Sequence, residues 1–246
     1  MRYKKAPILE AVLEFRWTST KSLEDLTAAI ELPLFGEFEE PKPRHRINAS
    51  VDIKEGAYSE DRKHIGYEVG LKDGSELVFL EEEKFVFIQR APYDTWEYFS
   101  NRALGIFEPV REFMDISELS RVGTRFVNRI DIPLSQAGNF DTDEYIAMSF
   151  DGPRNDIGVV DEFQMRIVKP ITEDRNVLYA LTVAVSPSPL KDHGAIILDI
   201  DVFSRQTIST AGDEFVNLLS KMHEEKNDIF EACITDKTRE LFGGEE

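Results

Sequence analysis

Two aspartates in the second half of the chain, Asp199 and Asp201, are spaced to do metal chemistry. They lie two residues apart in a run that alternates apolar and polar residues, so on a β-strand both carboxylates point to one face. Such hard oxygen donors can hold Mg²⁺ or Mn²⁺ in a metal-dependent hydrolase or nuclease, and Asp161, Glu162 and His193 could complete the site. Any strand with two acids shows this pattern, so the competing interpretation is a solvated face or partners for arginines.

A second set of charges lies on the predicted strand over residues 120–133, where Arg125, Arg129 and Asp131 share one face. If this strand neighbours the one that carries Asp199 and Asp201, the arginines can meet those carboxylates across the sheet. A structural ladder of ion pairs is the favoured interpretation, because charged faces are common in half-solvated sheets. The alternative is an arginine site that binds the carboxylate or phosphate of a ligand.

Two further residues are candidates for ligand binding. Asn128 falls on the apolar face of the same strand, beside Phe126 and Ile130, where a buried amide must find hydrogen-bond partners. It either fixes the adjoining backbone or points into a ligand cavity. His223, on the predicted last long helix, is a candidate base or ligand, although a histidine that merely packs against the helix is the commoner case.

Other motifs that carry chemistry are absent from the sequence. It has no glycine-rich phosphate loop, no G-x-S-x-G elbow and no paired-histidine or paired-cysteine metal spacing. Cys233 is the single cysteine, so no internal disulfide can form, and its apolar neighbours predict a buried thiol rather than a nucleophile.

The composition is that of a globular protein with an acidic surface. The 246 residues are 41% hydrophobic and 31% charged, with a net charge of −18 spread over both halves. This charge argues against a DNA partner and suits a basic protein partner. We find neither a signal-peptide pattern nor an apolar run long enough for a membrane span, and we expect a cytoplasmic protein.

The elements that must position these residues follow a repeated order. Residues 1–117 and 118–246 each predict a strand, a short helix, a run of antiparallel strands and a long amphipathic helix. In the first half, Asp94 is the expected cap of the long helix, and Pro109 is expected to kink it. In the second half, strands are expected over 157–168, 177–185 and 195–203, and a break in the last long helix after Asn227-Asp228.

The predicted fold class is therefore α+β, with two similar halves forming one compact unit. The element order resembles the pseudo-symmetric saddle of the TATA-binding-protein fold and also the helix-grip fold, in which a curved sheet wraps a long helix. A rival interpretation is two unlike α+β halves around one core. Both resembled folds build a concave sheet face, but a fold by itself carries no function.

Four blocks of sequence carry a family resemblance. They are residues 7–15 (PILEAVLEF), residues 121–130 (RVGTRFVNRI), residues 198–201 (LDID) and a tail with His223, Phe230, Ile234-Thr235 and 241–243 (LFG). In this order and spacing they are similar to a sporadically distributed family of uncharacterised prokaryotic proteins of about this length. The resemblance implies no reaction. The patchy distribution of the family implies mobile genes, such as toxin–antitoxin or defence loci.

Together these features favour a non-catalytic interaction or regulatory protein over an enzyme. The expected partner is a protein, either a basic one or one encoded nearby, and a homodimer is a further possibility. No cofactor is expected, and Mg²⁺ or Mn²⁺ belongs to the alternative hydrolase or nuclease. A small-ligand-binding protein that uses the concave sheet is the third hypothesis.

Overall fold

The computed structural model describes most of the chain, with short gaps. The described residues are 3–19, 21–52, 54, 56–148, 162–171, 174–212 and 214–243. The chain is α+β, as expected, with a large antiparallel sheet and helices on one side of it. No helix in these residues is long and apolar enough to cross a membrane.

The strands are β1 (Ile8–Arg16), β2 (Lys42–Asp52), β3 (Ala57–Gly70), β4 (Glu76–Glu81), β5 (Lys84–Arg90), β6 (Glu118–Leu119), β7 (Arg121–Pro133), β8 (Gln164–Pro170), β9 (Val177–Pro187), β10 (His193–Ser204) and β11 (Ile208–Ser209). Within the described residues, nine of them form one sheet in the order β2-β3-β4-β5-β1-β7-β10-β9-β8. β6 and β11 pair separately. The sheet is therefore continuous through β1 and β7, which belong to different halves of the chain.

The helices are α1 (Leu23–Ala29), α2 (Trp96–Phe113), α3 (Glu214–Cys233) and α4 (Asp236–Leu241), with 3₁₀ turns at Pro33–Glu37 and Thr142–Glu144. α3 packs on β7 and β10, and α2 packs on β1 and β5. The core lies between these two long helices and the sheet, as the spacing of the apolar residues on each helix requires.

The alternation of residue types on the two central strands decides which face is buried. On β7 the apolar set Val122, Phe126, Ile130 and Ile132 is fully buried, and Asn128 is buried in the same row. The arginines of β7 occupy the alternate positions and therefore point to the opposite face of the sheet. The helix-covered face and the charged face are thus set by the two-residue period of the strand.

The N-terminal cap of α2 differs from the sequence prediction. Thr95, not Asp94, caps α2, because its hydroxyl is the group that accepts the backbone N–H of Tyr98, at 3.1 Å. α2 continues through Pro109 to Phe113, with the buried residues Phe107 and Val110 on either side packed against the core, and the kink expected at Pro109 stays a prediction.

Other predicted boundaries also move. α3 runs without a break through residues 227–228, because its apolar row continues to Phe230 and Cys233. Residues 142–148 form a 3₁₀ turn and a bridge from Ile146 to Ile234 rather than a longer helix. The strand expected over 157–168 is observed as β8 from Gln164, and residues 157–161 lie outside the described part of the chain.

The hairpin of β2 and β3 extends well beyond its contact with the rest of the sheet. β2 pairs with β3 from Lys42 to Asp52, whereas β3 pairs with β4 only from Gly66 to Gly70. The far part of the hairpin, residues 45–52 of β2 and 57–64 of β3, is therefore a two-stranded arm. Three large apolar side chains on it are exposed to solvent: Ile47, Val51 and Tyr58.

Candidate functional site

The charged face of β1, β7 and β10 carries a row of ion pairs, which we call the ionic face. Arg121 donates from Nε to Glu14 at 2.7 Å and from Nη2 to Asp201 at 3.1 Å, so one guanidinium joins three strands. Arg125 donates two hydrogen bonds to Asp199, at 2.8 and 2.7 Å. This adjacency arises because β7 and β10 are neighbours in the sheet.

The third group on the ionic face is bonded within its own strand. Arg129 donates to Asp131 at 3.0 Å, and the hydroxyl of Ser188 donates to the same carboxylate at 2.7 Å. Each arginine and aspartate predicted on this face therefore has a partner. The arrangement is that of the ladder favoured from the sequence, except that Arg121, not Arg129, meets Asp201.

The carboxylates of the ionic face differ in how well their charge is compensated. Burial raises the pKa of Asp201, and the neighbouring guanidinium of Arg121 offsets this only in part. Burial also acts to raise the pKa of Glu14, but hydrogen bonds from Arg16 and Arg121 outweigh it and leave the pKa below its usual value.

The residues proposed for a metal do not converge in the described part of the chain. Asp199 and Asp201 are bonded to arginines, and the ring of His193 is bonded through Nδ1 to the carbonyl of Lys191. Among the described residues, no group of three or more His, Cys, Asp or Glu side chains is arranged to hold a metal ion. Asp161 lies outside those residues.

On the helix-covered face, a cavity of about 1000 Å³ opens at one end of the sheet, and we call it the α3 cavity. Its walls are the N-terminal segment 3–8, the segment 91–97 that leads into α2, Asn128 of β7, and α3 from His223 to Glu231. These walls are distant in sequence and meet because β1 and β7 are adjacent and α3 crosses them. The volume is at the upper end of the range typical of small-molecule sites.

Lys226 is the most unusual residue of this cavity. It is only 7% exposed, and its Nζ lies 4.1 Å from the centre of the Phe126 ring. Among the described residues, its ammonium group has no hydrogen-bond or ion-pair partner. Burial lowers the pKa of Lys226 to about 8, although Glu231 acts in the opposite direction. A buried charge without a counter-ion is costly, so its presence requires an explanation beyond packing.

His223 lies one turn before Lys226 and stacks on the indole of Trp96. The two rings are nearly parallel, at 6°, with their centres 4.3 Å apart. Burial, followed by the positive charge of Lys226, lowers the pKa of His223 to about 3, so the imidazole is neutral at physiological pH. Its Nε2 lies 3.2 Å from the side-chain nitrogen of Asn227, and its Nδ1 is buried with no partner in the described residues.

Tyr93 and Asn128 complete the inner wall. The hydroxyl of Tyr93 is buried and has no hydrogen-bond partner among the described residues, and burial raises its pKa well above the usual value. Asn128 is 2% exposed and donates to the carbonyl of Leu198 at 3.0 Å. The amide thus ties β7 to β10 and also lines the cavity, which combines the two roles left open from the sequence.

The outer rim is closed by a bonded cluster at the N-terminal segment. The hydroxyl of Tyr3 donates to Glu231 at 2.7 Å, and Arg239 donates to the other carboxylate oxygen at 3.1 Å. Burial, together with the hydrogen bond to Glu231, raises the pKa of Tyr3 to about 12. The carboxylate of Glu231 is therefore already engaged and does not serve as the counter-ion of Lys226.

The structure thus divides the residues proposed from the sequence between two faces. Asn128 and His223 meet at the α3 cavity. The other proposed ligand-binding and metal residues lie on the ionic face: Arg125, Arg129, Asp131, Asp199 and Asp201.

Sequence reasoning missed Lys226, although a signal for it exists. The buried residues of α3 are Phe215, Leu219, Met222, Lys226, Phe230 and Cys233, so a lysine takes a regular place in the apolar row. Tyr93 carries no comparable signal, because it lies in a loop. Cys233 is buried as predicted, and burial raises its pKa to about 11, which is unsuited to a nucleophile.

Comparison with known proteins adds no identification, since neither a protein-family model nor a curated protein matches this chain. The resemblance to the sporadically distributed prokaryotic family therefore stays a prediction.

Proposed function

We propose that this protein binds a small molecule in the α3 cavity. The observation that carries the proposal is Lys226, which is 7% exposed, has no hydrogen-bond or ion-pair partner among the described residues and lines an open cavity of about 1000 Å³. Stable folds rarely keep an unpaired buried charge, because no interaction within the protein offsets the free-energy cost of its desolvation. A ligand that pairs with Lys226 would offset that cost.

The lining of the cavity supports the same function. Aromatic side chains form much of its wall, namely Tyr3, Tyr93, Trp96 and Phe230, and a few polar groups are interspersed among them. This mixture of apolar surface and few directed polar groups is typical of small-molecule sites.

A neutral fluorescent probe tests the proposal. N-phenyl-1-naphthylamine, which fluoresces on entering an apolar site, should bind one molecule per chain. Ala6, a small exposed residue at the cavity mouth, should be replaced by tryptophan to obstruct entry. Ala6→Trp should weaken binding at least tenfold, whereas Ala137→Trp, at an exposed loop position away from the cavity, should leave it unchanged. Absence of stoichiometric binding to the wild type, or equal binding by Ala6→Trp, would contradict the proposal.

The internal duplication predicted from the sequence would give the cavity a simple origin. Within each half the first strand pairs with the last strand of its meander, β1 with β5 and β7 with β10, and β1 pairs with β7 across the middle. This order supports a duplicated unit with a saddle-like sheet, in which the cavity lies where the halves join. Superposing β1, β5 and α2 on β7, β10 and α3 in an experimental structure tests this, and helices that cross the strands in unlike directions would refute it.

Interaction with a protein partner is the second candidate function, and the arm of β2 and β3 favours it. Residues 42–64 contain six Lys or Arg and four Asp or Glu, so the arm is net positive in a chain of net charge −18. Ile47, Val51 and Tyr58 form an exposed apolar row on it, since Val51 and Tyr58 are directly paired. Because the arm is positive and the rest of the chain is strongly negative, the acidic body of a second copy is the favoured partner.

Light scattering tests this second function. A dimer is expected for the wild type, and a monomer for Val51→Lys, which places a charge in the apolar row. The matched variant Ser50→Lys, on the opposite side of the same strand, should remain dimeric. A monomeric wild type would exclude the second copy as the partner.

A further inference from the structure

Among the described residues, the buried polar groups around the α3 cavity that have no hydrogen-bond partner are all donors or can act as donors. The ammonium of Lys226 can only donate, and the buried hydroxyl of Tyr93 is free to donate. His223 is the third member of the set, and its role depends on which ring nitrogen carries the proton.

The contact with Asn227 indicates that tautomer. The side-chain nitrogen of Asn227, which can only donate, lies 3.2 Å from Nε2 of His223, so Nε2 is the acceptor. Because the neutral imidazole carries one proton, that proton is on Nδ1. Nδ1–H is buried and has no acceptor among the described residues. Three donors around the cavity therefore have no acceptor among the described residues, but the hydroxyl of Tyr93 and Nδ1 of His223 are too deeply buried to be reached from the open space, which leaves Lys226 to meet a ligand.

The charges around the cavity limit how much negative charge a ligand can carry. Lys226 and the exposed Lys4 and Lys5 are positive, whereas Asp94, Glu97, Asp228 and Glu231 are negative. The carboxylate of Glu231 accepts hydrogen bonds from Tyr3 and Arg239. It affects Lys226 only through the electrostatic attraction of its charge, without a hydrogen bond. A ligand with several negative charges would be repelled by these carboxylates, whereas a single charge can be neutralised by Lys226.

We propose that the ligand of the α3 cavity is an aromatic monoanion, an acid group on a ring body, with the acid group at Lys226. This inference rests on the proposed ligand-binding function. The acid supplies the acceptor that Lys226 lacks. The ring body contacts the aromatic wall formed by Tyr3, Trp96 and Phe230.

Two dyes with the same ring system separate this inference from simple cavity binding. 8-Anilinonaphthalene-1-sulfonate is the sulfonated form of N-phenyl-1-naphthylamine, so the pair differs only in the acid group. The wild type should bind the sulfonate, one molecule per chain, at least about tenfold more tightly than the neutral dye, as one charge-assisted hydrogen bond warrants. Lys226→Met should lose that preference and keep its affinity for the neutral dye. Lys221→Met, on the same helix but outside the buried row, should behave as the wild type.

A pH series on the wild type needs no substitution and gives a second readout. The sulfonate stays charged, so its affinity should be level below about pH 7 and fall above about pH 8, as Lys226 loses its proton. The affinity of the neutral dye should change much less. Between pH 7 and 9, His223 stays neutral and does not contribute to the change.

Equal binding of the two dyes by the wild type, or an equal loss of both in Lys226→Met, would overturn the inference and leave cavity binding intact. Failure of both dyes to bind the wild type would contradict the inference and the proposed function together.

Discussion

On the ionic face, Arg121 and Arg125 each form an ion pair with a carboxylate, whereas on the helix-covered face Lys226 forms none with the residues that the structure describes. The paired groups are the more exposed ones: the side chain of Arg125 is 50% exposed, while Lys226 is 7% exposed. If charges served only to stabilise the fold, the more deeply buried one would be the better paired. From this difference we propose that the ion pairs of the ionic face stabilise the sheet and that Lys226 is retained to bind a ligand.

The largest effect is expected from removing the unpaired charge. Lys226→Met should stabilise the free protein by about 3 kcal/mol at pH 7, because the lysine pKa falls from 10.5 to about 8 on folding. Urea unfolding measures this, with Lys221→Met as the control that should change little. A destabilised Lys226→Met would mean that the lysine has a partner in the free protein.

The same substitution predicts a pH dependence. Since the folded pKa of Lys226 is depressed, the unfolded chain holds more protons between about pH 8 and 10.5, and stability of the wild type rises with pH in that window. The advantage of Lys226→Met should therefore be full below pH 8 and shrink to less than half by pH 10. If the difference in unfolding free energy between Lys226→Met and the wild type stayed constant from pH 7 to 10, the depressed pKa of Lys226 would be refuted.

Removing a paired charge should destabilise the protein, whereas removing the unpaired one should stabilise it. Arg121→Met should destabilise by about 1–3 kcal/mol, because Asp201 then loses its bonded partner and Glu14 loses one of two. Urea unfolding of this variant beside Lys226→Met gives the sharpest contrast between the two faces. Unchanged stability of Arg121→Met would show that the ladder contributes nothing to the fold.

The lowered pKa of His223, which lines the cavity, predicts that the protein loses stability in acid. Its folded pKa of about 3 lies below the usual 6.5, so the unfolded chain takes up a proton first and stability is lost as the pH falls from 6.5 towards 3. His223→Gln should reduce the loss between pH 7 and 5 by about 1–2 kcal/mol, allowing for partial exposure of the ring. Denaturant unfolding at pH 7 and pH 5 measures this difference in stability. If His223→Gln lost as much stability as the wild type between the two pH values, the depressed pKa of His223 would be contradicted.

The smallest effect is expected at the exposed end of the ladder. Arg125→Met should cost less than about 1 kcal/mol despite two short hydrogen bonds to Asp199, because half of the arginine side chain is in water. Urea unfolding in low and high salt checks this. A larger loss than for Arg121→Met would reverse the proposed ranking within the ionic face.

The ionic face could be predicted from the sequence, whereas the cavity could not. Strand alternation over residues 120–133 is a local pattern, and it correctly placed Asn128 among buried residues and Arg125 on the opposite face. The partnership of Arg125 with Asp199 needed only the assumption that their strands are neighbours.

The cavity depends on contacts between segments that are distant in sequence. Residues 3–8, 91–97 and 223–231 each look ordinary alone, and only the pairing of β1 with β7 and the path of α3 bring them together. Lys226 is the exception, because a lysine in the apolar row of a helix is visible as a violation of the pattern.

The central claim is that Lys226, which has no ion-pair partner in the described part of the chain, gains one from an anionic ligand. Lysine side-chain NMR on selectively labelled protein, with assignment by Lys226→Met, measures the pKa of this group directly. The account predicts a value of about 8 in the free protein and a rise towards 10.5 when 8-anilinonaphthalene-1-sulfonate is bound. A free value already near 10.5, or a value unmoved by the bound sulfonate, would contradict it.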